Sequence, residues 1–256
     1  MNYDIQKASM LKRVPAWMLD MILLVIVATG FLVLWSQVFD VTPHMNRLDT
    51  LIEQYETQYG GALTVPADQY EKMTDAEKAA ADKVSLEISN ALNQDDEALY
   101  LLQTVATNIF GMLSLSILCA YVILEFLIPL WLKNGQTLGK KCFGVALMRK
   151  DGIKVTPFMM FARTVLGKCT VESMIPILSV VLMLVGLTGP LFLLGVAVLL
   201  AQIIVPLATR NKTAIHDIMA CTVAVDLSSQ MIFDSVEAME AYHAEIYKDK
   251  TSDAEQ

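Results

Sequence analysis

Charge is scarce in this chain, and so are the residue patterns that carry chemistry. Of its 256 residues only 18% are charged and 55% are hydrophobic, with a mean hydropathy of +0.48, which excludes an average soluble domain. Cysteine is equally sparse. Cys119, Cys142, Cys169 and Cys221 lack the paired short spacing of a zinc site, and they fall within or on the inner side of the predicted membrane, where thiols stay reduced. No disulfide and no metal centre are expected. The sequence has no H-E-x-x-H, no Rossmann glycine fingerprint and no Ser/His/Asp constellation, so neither an enzyme nor a cofactor is expected. The stretch from Gly135 to Lys141 is not a phosphate loop. That loop needs four residues between its glycines and a Ser or Thr after the lysine, whereas here three residues separate Gly135 from Gly139, and Lys141 follows Lys140.

What is present is length of apolar run. About 20 apolar residues cross a bilayer core roughly 30 Å thick, and four segments qualify: 16–39, 104–132, 171–187 and 190–209. The expected architecture is an all-α membrane protein. It is a four-transmembrane-helix bundle with an extracytoplasmic helical insertion (40–103), a small cytoplasmic β-element within the loop 133–170, and a cytoplasmic C-terminal segment (210–256).

The net charge of −8 is unevenly spread, and its spread orients the chain. Between Asp40 and Gln103 only Arg47, Lys72, Lys78 and Lys83 are basic, against many acids that include Asp95-Asp96-Glu97. Lys7, Lys12 and Arg13 precede the first run, Lys133, Lys140, Lys141, Arg149, Lys150, Lys154, Arg163 and Lys168 follow the second, and Arg210 and Lys212 follow the fourth. With four crossings all these basic clusters share one side, so the positive-inside rule puts both termini in the cytoplasm and the acidic segment outside. Trp17 and Trp35 stand eighteen residues apart. That is about 27 Å of helix, one indole near each interface.

The insertion reads as folded. Leu48, Leu51, Ile52, Tyr55 and Tyr59 recur at helical spacing up to Gly60-Gly61, Thr74-x-x-Glu77 has the form of a capping box opening a second helix, and a third element from about Asp95 runs into the second span. On the inner side, Asp151-Gly152 between 145–149 and 153–155 predicts a β-hairpin, with 221–226 as a third strand. Thr156-Pro157 predicts an interfacial helix before a bend at Pro176 into the third span, and Val236, Met239 and Ile246 share one face of a short tail helix.

The residues that stand out are charges placed in hydrocarbon, where each costs roughly 2.5–3.5 kcal/mol on insertion scales unless paired, hydrated or functional. Asp20 lies seven residues after Arg13, and Glu125 eight residues before Lys133, on helices running in opposite directions. Both come out about 10–12 Å below the inner surface. Glu172 and Gln202 belong to the same inner third, so these four are the candidate ion-pathway residues. Carboxylates converging in low dielectric attract a cation or share a proton. The structural alternative is that Arg13 neutralises Asp20 and the cluster only locks the bundle together. His216-Asp217 is too isolated in sequence for a metal site, although an Arg13–Asp217 ion pair could tie the first helix to the fourth.

The chain resembles the RDD family of bacterial multi-pass membrane proteins. The resemblance rests on 13–20 (RVPAWMLD), on 135–145 (GQTLGKKCFGV), then Asp151-Gly152, Arg163 and 216–225 (HDIMACTVAV), within which Arg13, Asp20, Gly135, Thr137, Gly139, Lys140, Arg163, His216 and Asp217 are the motif positions. The arginine and two aspartates of the family's name carry over as Arg13, Asp20 and Asp217, with Asp151 the rival for the third place. The acidic insertion departs from the short connection common in the family. The resemblance implies transport, with some members looking like sodium/proton antiporters. Four spans are few for a transporter, so a homo-oligomer or a protein partner is expected beside the bilayer, and no nucleic acid. Two functions follow: exchange of a monovalent cation for protons, with Asp20 titrating, Glu125 assisting and Arg13 tuning it; or a non-transporting scaffold that binds protein partners through its outer helices.

Overall fold

The computed structural model describes residues 5–132, 134–184, 189–209 and 213–254. Lys133, Arg210, Asn211, Lys212, residues 185–187 and the side chain of Ile246 lie outside the described residues. Four helices are long and apolar enough to cross a membrane: Met10–Ser36, Asp96–Trp131, Pro157–Met183 and Pro190–Ala208, here called the first to fourth spans. In hydrocarbon no water satisfies a backbone N–H or C=O, so an apolar run of this length closes its hydrogen bonds within itself as a helix.

Two of these helices are widened where proline interrupts them. Proline has no N–H to give, and its ring crowds the carbonyl four residues earlier. For Pro129 and Pro176 those carbonyls belong to Glu125 and Glu172. The chain adopts π winding ahead of each proline, over Val122–Leu127 in the second span and over Ala162–Met174 in the third. The two carbonyls are then satisfied from other spans. Thr164 Oγ1 donates to the Glu125 carbonyl at 2.9 Å, and Gln202 Nε2 to the Glu172 carbonyl at 2.8 Å.

The π winding also corrects one expectation. No separate interfacial helix precedes a third span at 171; one helix runs from Pro157 to Met183. Arg163 and Lys168 read as interface charges in the sequence, yet both are buried. With i→i+5 hydrogen bonding, residues five apart fall on nearly the same face, and that face meets a counter-charge.

The β-element is a two-stranded antiparallel sheet of β1 (Val145–Arg149) and β2 (Thr222–Asp226), with Val145 opposite Asp226 and Arg149 opposite Thr222. The expected hairpin arm at 153–155 is not a strand. It contributes single bridges, Met148 to Lys154 and Ile153 to Phe233, because Thr156-Pro157 starts the third span at once. Both faces of the sheet are covered. Val145 and Leu147 pack with Ala8, Met160 and Ala224, while Ala146 and Met148 pack with Val223 and Val225. The sheet thereby joins the N-terminus, the start of the third span and the segment after the fourth.

Residues 32–113 form a separate compact unit. Helices Thr42–Tyr59 and Asp75–Leu92 occupy the predicted places, the second opened by a complete Thr74/Glu77 capping box. Leu51, Ala98 and Leu101 form its core, and Arg47–Glu97 (2.7 Å) and Tyr55–Asp95 (2.8 Å) tie its edge.

The third and fourth spans approach closely at Gly195, where a Cβ would stand 1.9 Å from Ser179 Oγ and 2.3 Å from Ser179 Cβ. A Gly195→Val change is expected to separate these helices and cost at least about 2–3 kcal/mol by overpacking. A thermal-unfolding midpoint in detergent equal to that of the unaltered protein would contradict this packing.

Candidate functional site

Asp20 is held by a segment that returns from the end of the second span. After a turn at Gly135 (φ +61), Thr137 adopts an extended conformation and opens the short helix Leu138–Cys142, its Oγ1 accepting from the Lys140 N–H at 3.3 Å. Thr137 Oγ1 donates to Asp20 Oδ2 at 2.5 Å, and the Gly139 N–H donates to Asp20 Oδ1 at 2.7 Å. One carboxylate thus satisfies two donors at the first turn of another helix, as a capping residue does. The approach requires glycine: a Cβ at residue 139 would lie 2.2 Å from the Ala16 carbonyl oxygen. Lys140 Nζ is the cation beside this carboxylate, 3.9 Å from Asp20 Oδ2.

A second cluster forms where the two π-wound segments meet. Lys168 Nζ donates to Glu125 Oε1 at 2.5 Å, and Arg163 Nε donates to Asp217 Oδ1 at 2.8 Å, with Thr222 Oγ1 donating to the same oxygen at 3.0 Å. Arg163 Nη1 and Glu125 Oε2 stand 3.8 Å apart, and each lacks a hydrogen bond. That gap suits a bridging water, which would serve one donor and one acceptor. The helix Ile215–Met219 carries His216 and Asp217 into this cluster and seats against Gly167, where a Cβ would come within 2.7 Å of His216 Cβ. Glu172 accepts from both the backbone N–H (3.0 Å) and Nδ1 (2.8 Å) of His216.

The two clusters face one cavity of about 560 Å³, lined by Asp20, Lys140, Arg163, Lys168, Glu172 and His216 among others. Low dielectric sets the charge states of its groups outside the spans. Burial, reinforced by Lys168 and Arg163, lowers the Lys140 ammonium to about 7 against the pull of Glu125 and Asp20. Burial likewise lowers His216, with Asp217 opposing. Burial would raise Asp217, but Arg163 and His216 outweigh it and hold that carboxyl below its ordinary range.

The site corrects several sequence-based pairings. Arg13 forms no ion pair with Asp20 or Asp217 among the described residues; Lys140 stands beside Asp20, and Asp217 belongs to Arg163. Asp151 pairs with Arg149 at 2.6 Å away from the cavity, so Asp217 is the aspartate that joins the other motif positions. Asp20 and Glu125 do not share a partner by direct contact: one is bound by Thr137 and Gly139, the other by Lys168. Gln202 donates to a backbone carbonyl and lines the cavity. Lys168 was missed as a member of the cluster. The recurring Glu-x-x-x-Pro at 125–129 and 172–176 was the signal available for it, since each of these prolines follows a π-wound segment, and Glu125, Arg163 and Lys168 of those segments are buried. Among the described residues, no group of three His, Cys, Asp or Glu could hold a metal ion.

The RDD family model matches the chain over residues 7–221, which takes in all of these groups except Thr222. No curated protein and no solved structure matches it.

Breaking a buried ion pair leaves an unpaired charge, at a cost of about 3–5 kcal/mol. Arg163→Met is therefore expected to destabilise the protein by that amount, while Arg163→Met combined with Asp217→Leu recovers most of it. Thermal unfolding in detergent measures both, and equal melting of the single and double variants would contradict the assignment.

Proposed function

We propose that this chain, which belongs to the RDD family, exchanges protons for a monovalent cation across a bacterial cytoplasmic membrane. The four candidate spans support a topology with residues 5–9, the helix Leu138–Cys142 and residues 213–254 on one side, and the basic residues of these segments favour the cytoplasm for it. Only 6% of the fourth span's apolar window is buried within the chain, which leaves a face for a second copy and supports a homo-oligomer.

The observation that carries the exchange reading is Lys140 beside Asp20 in a cavity that disfavours its charge. When Lys140 holds its proton, its ammonium is the counter-ion of Asp20. When the proton leaves, the amine is neutral and the carboxylate lacks a compensating charge. A monovalent cation restores neutrality at Asp20 Oδ2, with oxygen ligands of the kind hard cations take. One proton is released for each cation bound, and the reverse order carries the proton back. The titrating group is then Lys140, with Asp20 as the cation's ligand. The Arg163–Asp217 and Lys168–Glu125 pairs form the fixed wall against which this substitution takes place.

Protein reconstituted in vesicles with a trapped pH indicator tests this. Adding sodium, lithium or potassium is expected to drive proton movement whose rate rises with pH through about 7, the value to which Lys140 is lowered. The sign follows from the competition: below that pH the ammonium occupies Asp20, and above it the site is open to the cation. Asp20→Asn is expected to abolish the response. Lys140→Gln should permit cation movement without proton coupling, and Lys140→Arg, charged at all working pH values, should block both. No proton movement with any of the three cations would overturn the exchange reading in favour of the scaffold, and a wild-type pH profile in Lys140→Gln would remove Lys140 as the titrating group.

A further inference from the structure

The cavity is much larger than an exchanged ion requires. At about 560 Å³ it falls within the range of small-molecule sites, roughly 300–1,000 Å³, whereas a water occupies about 30 Å³. Its lining is of two kinds. One is buried and charged, with Asp20, Arg163, Lys168 and Asp217; the other is an apolar wall of Val14 and Trp17 from the first span and Leu199, Ile203 and Pro206 from the fourth. Trp17 is 58% exposed and Ile203 64%, so this wall is accessible to hydrocarbon.

Arg13 lines the same cavity one helical turn before Trp17. It is the fourth residue of the first span, near the end that the charge pattern assigns to the inner interface. Its guanidinium makes no hydrogen bond or ion pair with the described residues, although Asp217 and Arg163 are near enough to act on its charge. The carboxylates lining the cavity already have donors: Asp20 has Thr137 and Gly139, Asp217 has Arg163 and Thr222, and Glu172 has His216. An arginine presents five N–H donors in a fork that fits a phosphate. Lys140 and Lys168 add positive charge further in. Basic pockets between membrane helices are suited to anionic headgroups.

We propose that this cavity binds a phospholipid with an anionic headgroup, its phosphate on the Arg13 guanidinium and an acyl chain running inward between Trp17 and Leu199–Ile203. The order of the groups matches the lipid: cation at the interface, indole one turn deeper, then aliphatic side chains. The inference does not depend on ion exchange at Asp20, and the two can fail separately.

The test uses the full chain with Trp35→Phe and Trp131→Phe, leaving Trp17 as the only indole, reconstituted in phosphatidylcholine vesicles. Brominated-chain phosphatidylglycerol is expected to reach half-maximal quenching of Trp17 at a several-fold lower membrane share than brominated-chain phosphatidylcholine. Arg13→Gln should bring the two lipids level, and Arg13→Lys should retain part of the preference, which shows that the altered protein still folds. Equal quenching by both lipids in the unaltered cavity, or a preference that survives Arg13→Gln, would overturn the proposal. So would displacement of the phosphatidylglycerol effect by millimolar inorganic phosphate or glycerol phosphate, because the site would then take a free anion.

Discussion

A guanidinium with 1% of its surface exposed governs the arrangement of this protein. Arg163 cannot shed its charge, because arginine does not deprotonate in proteins, and taking an uncompensated ion out of water costs several kcal/mol. The chain must therefore bring anions to it from distant parts of the sequence. Asp217 comes from the segment after the fourth span and Glu125 from the second span, 54 and 38 residues away along the chain. Asp217 is itself anchored by Thr222, the first residue of β2, whose pairing with β1 fixes where the loop after the second span can go. That loop contains Thr137 and Gly139, which bind Asp20. One buried cation thus links four spans, the sheet and the motif helix into a single electrostatic unit.

The prolines explain how this unit fits within helices. A regular α-helix would direct Arg163 and Lys168 to different sides, since five residues at 3.6 per turn is well over one turn. Pro129 and Pro176 each remove a backbone hydrogen bond, and the chain responds by widening over the preceding residues. The widening has two consequences. It turns Arg163 and Lys168 toward Glu125, and it leaves carbonyls that Thr164 and Gln202 take up across helix boundaries. The local irregularity and the cross-helix contacts have one cause.

The spans, the two insertion helices with their Thr74/Glu77 cap, and the family likeness were legible in the sequence because each depends on local pattern: run length, periodicity, or an ordered set of residues. The partners of the buried charges were not. A seven-residue spacing relates Arg13 to Asp20 and a shared inner interface relates it to Asp217, but neither spacing nor depth along a helix axis says which neighbour faces which. The third span began fourteen residues earlier than its hydropathy suggested, at 157 rather than 171, because Arg163 and Lys168 depress the average while their counter-ions lie far off in sequence. The arm at 153–155 looked like a strand, but a strand needs residues to spare before the next element, and Thr156 already caps a helix. In each case the deciding interaction was long-range.

The charged groups around the cavity differ in how firmly they are held, and this separates a scaffold from a working part. Arg163 is permanently charged and bonded through Nε to Asp217; Lys168 touches Glu125 directly. Lys140 is attached less closely, 3.9 Å from Asp20 and 3.3 Å from the Thr137 hydroxyl, at the start of a helix of only five residues. Asp20, by contrast, stays in place without Lys140, since a hydroxyl and a backbone N–H bind its two oxygens. A carboxylate fixed by neutral donors, next to a cation fixed by little, can change its counter-ion without moving itself. That asymmetry, a rigid cluster with one loosely held charge, is what the proposed exchange requires.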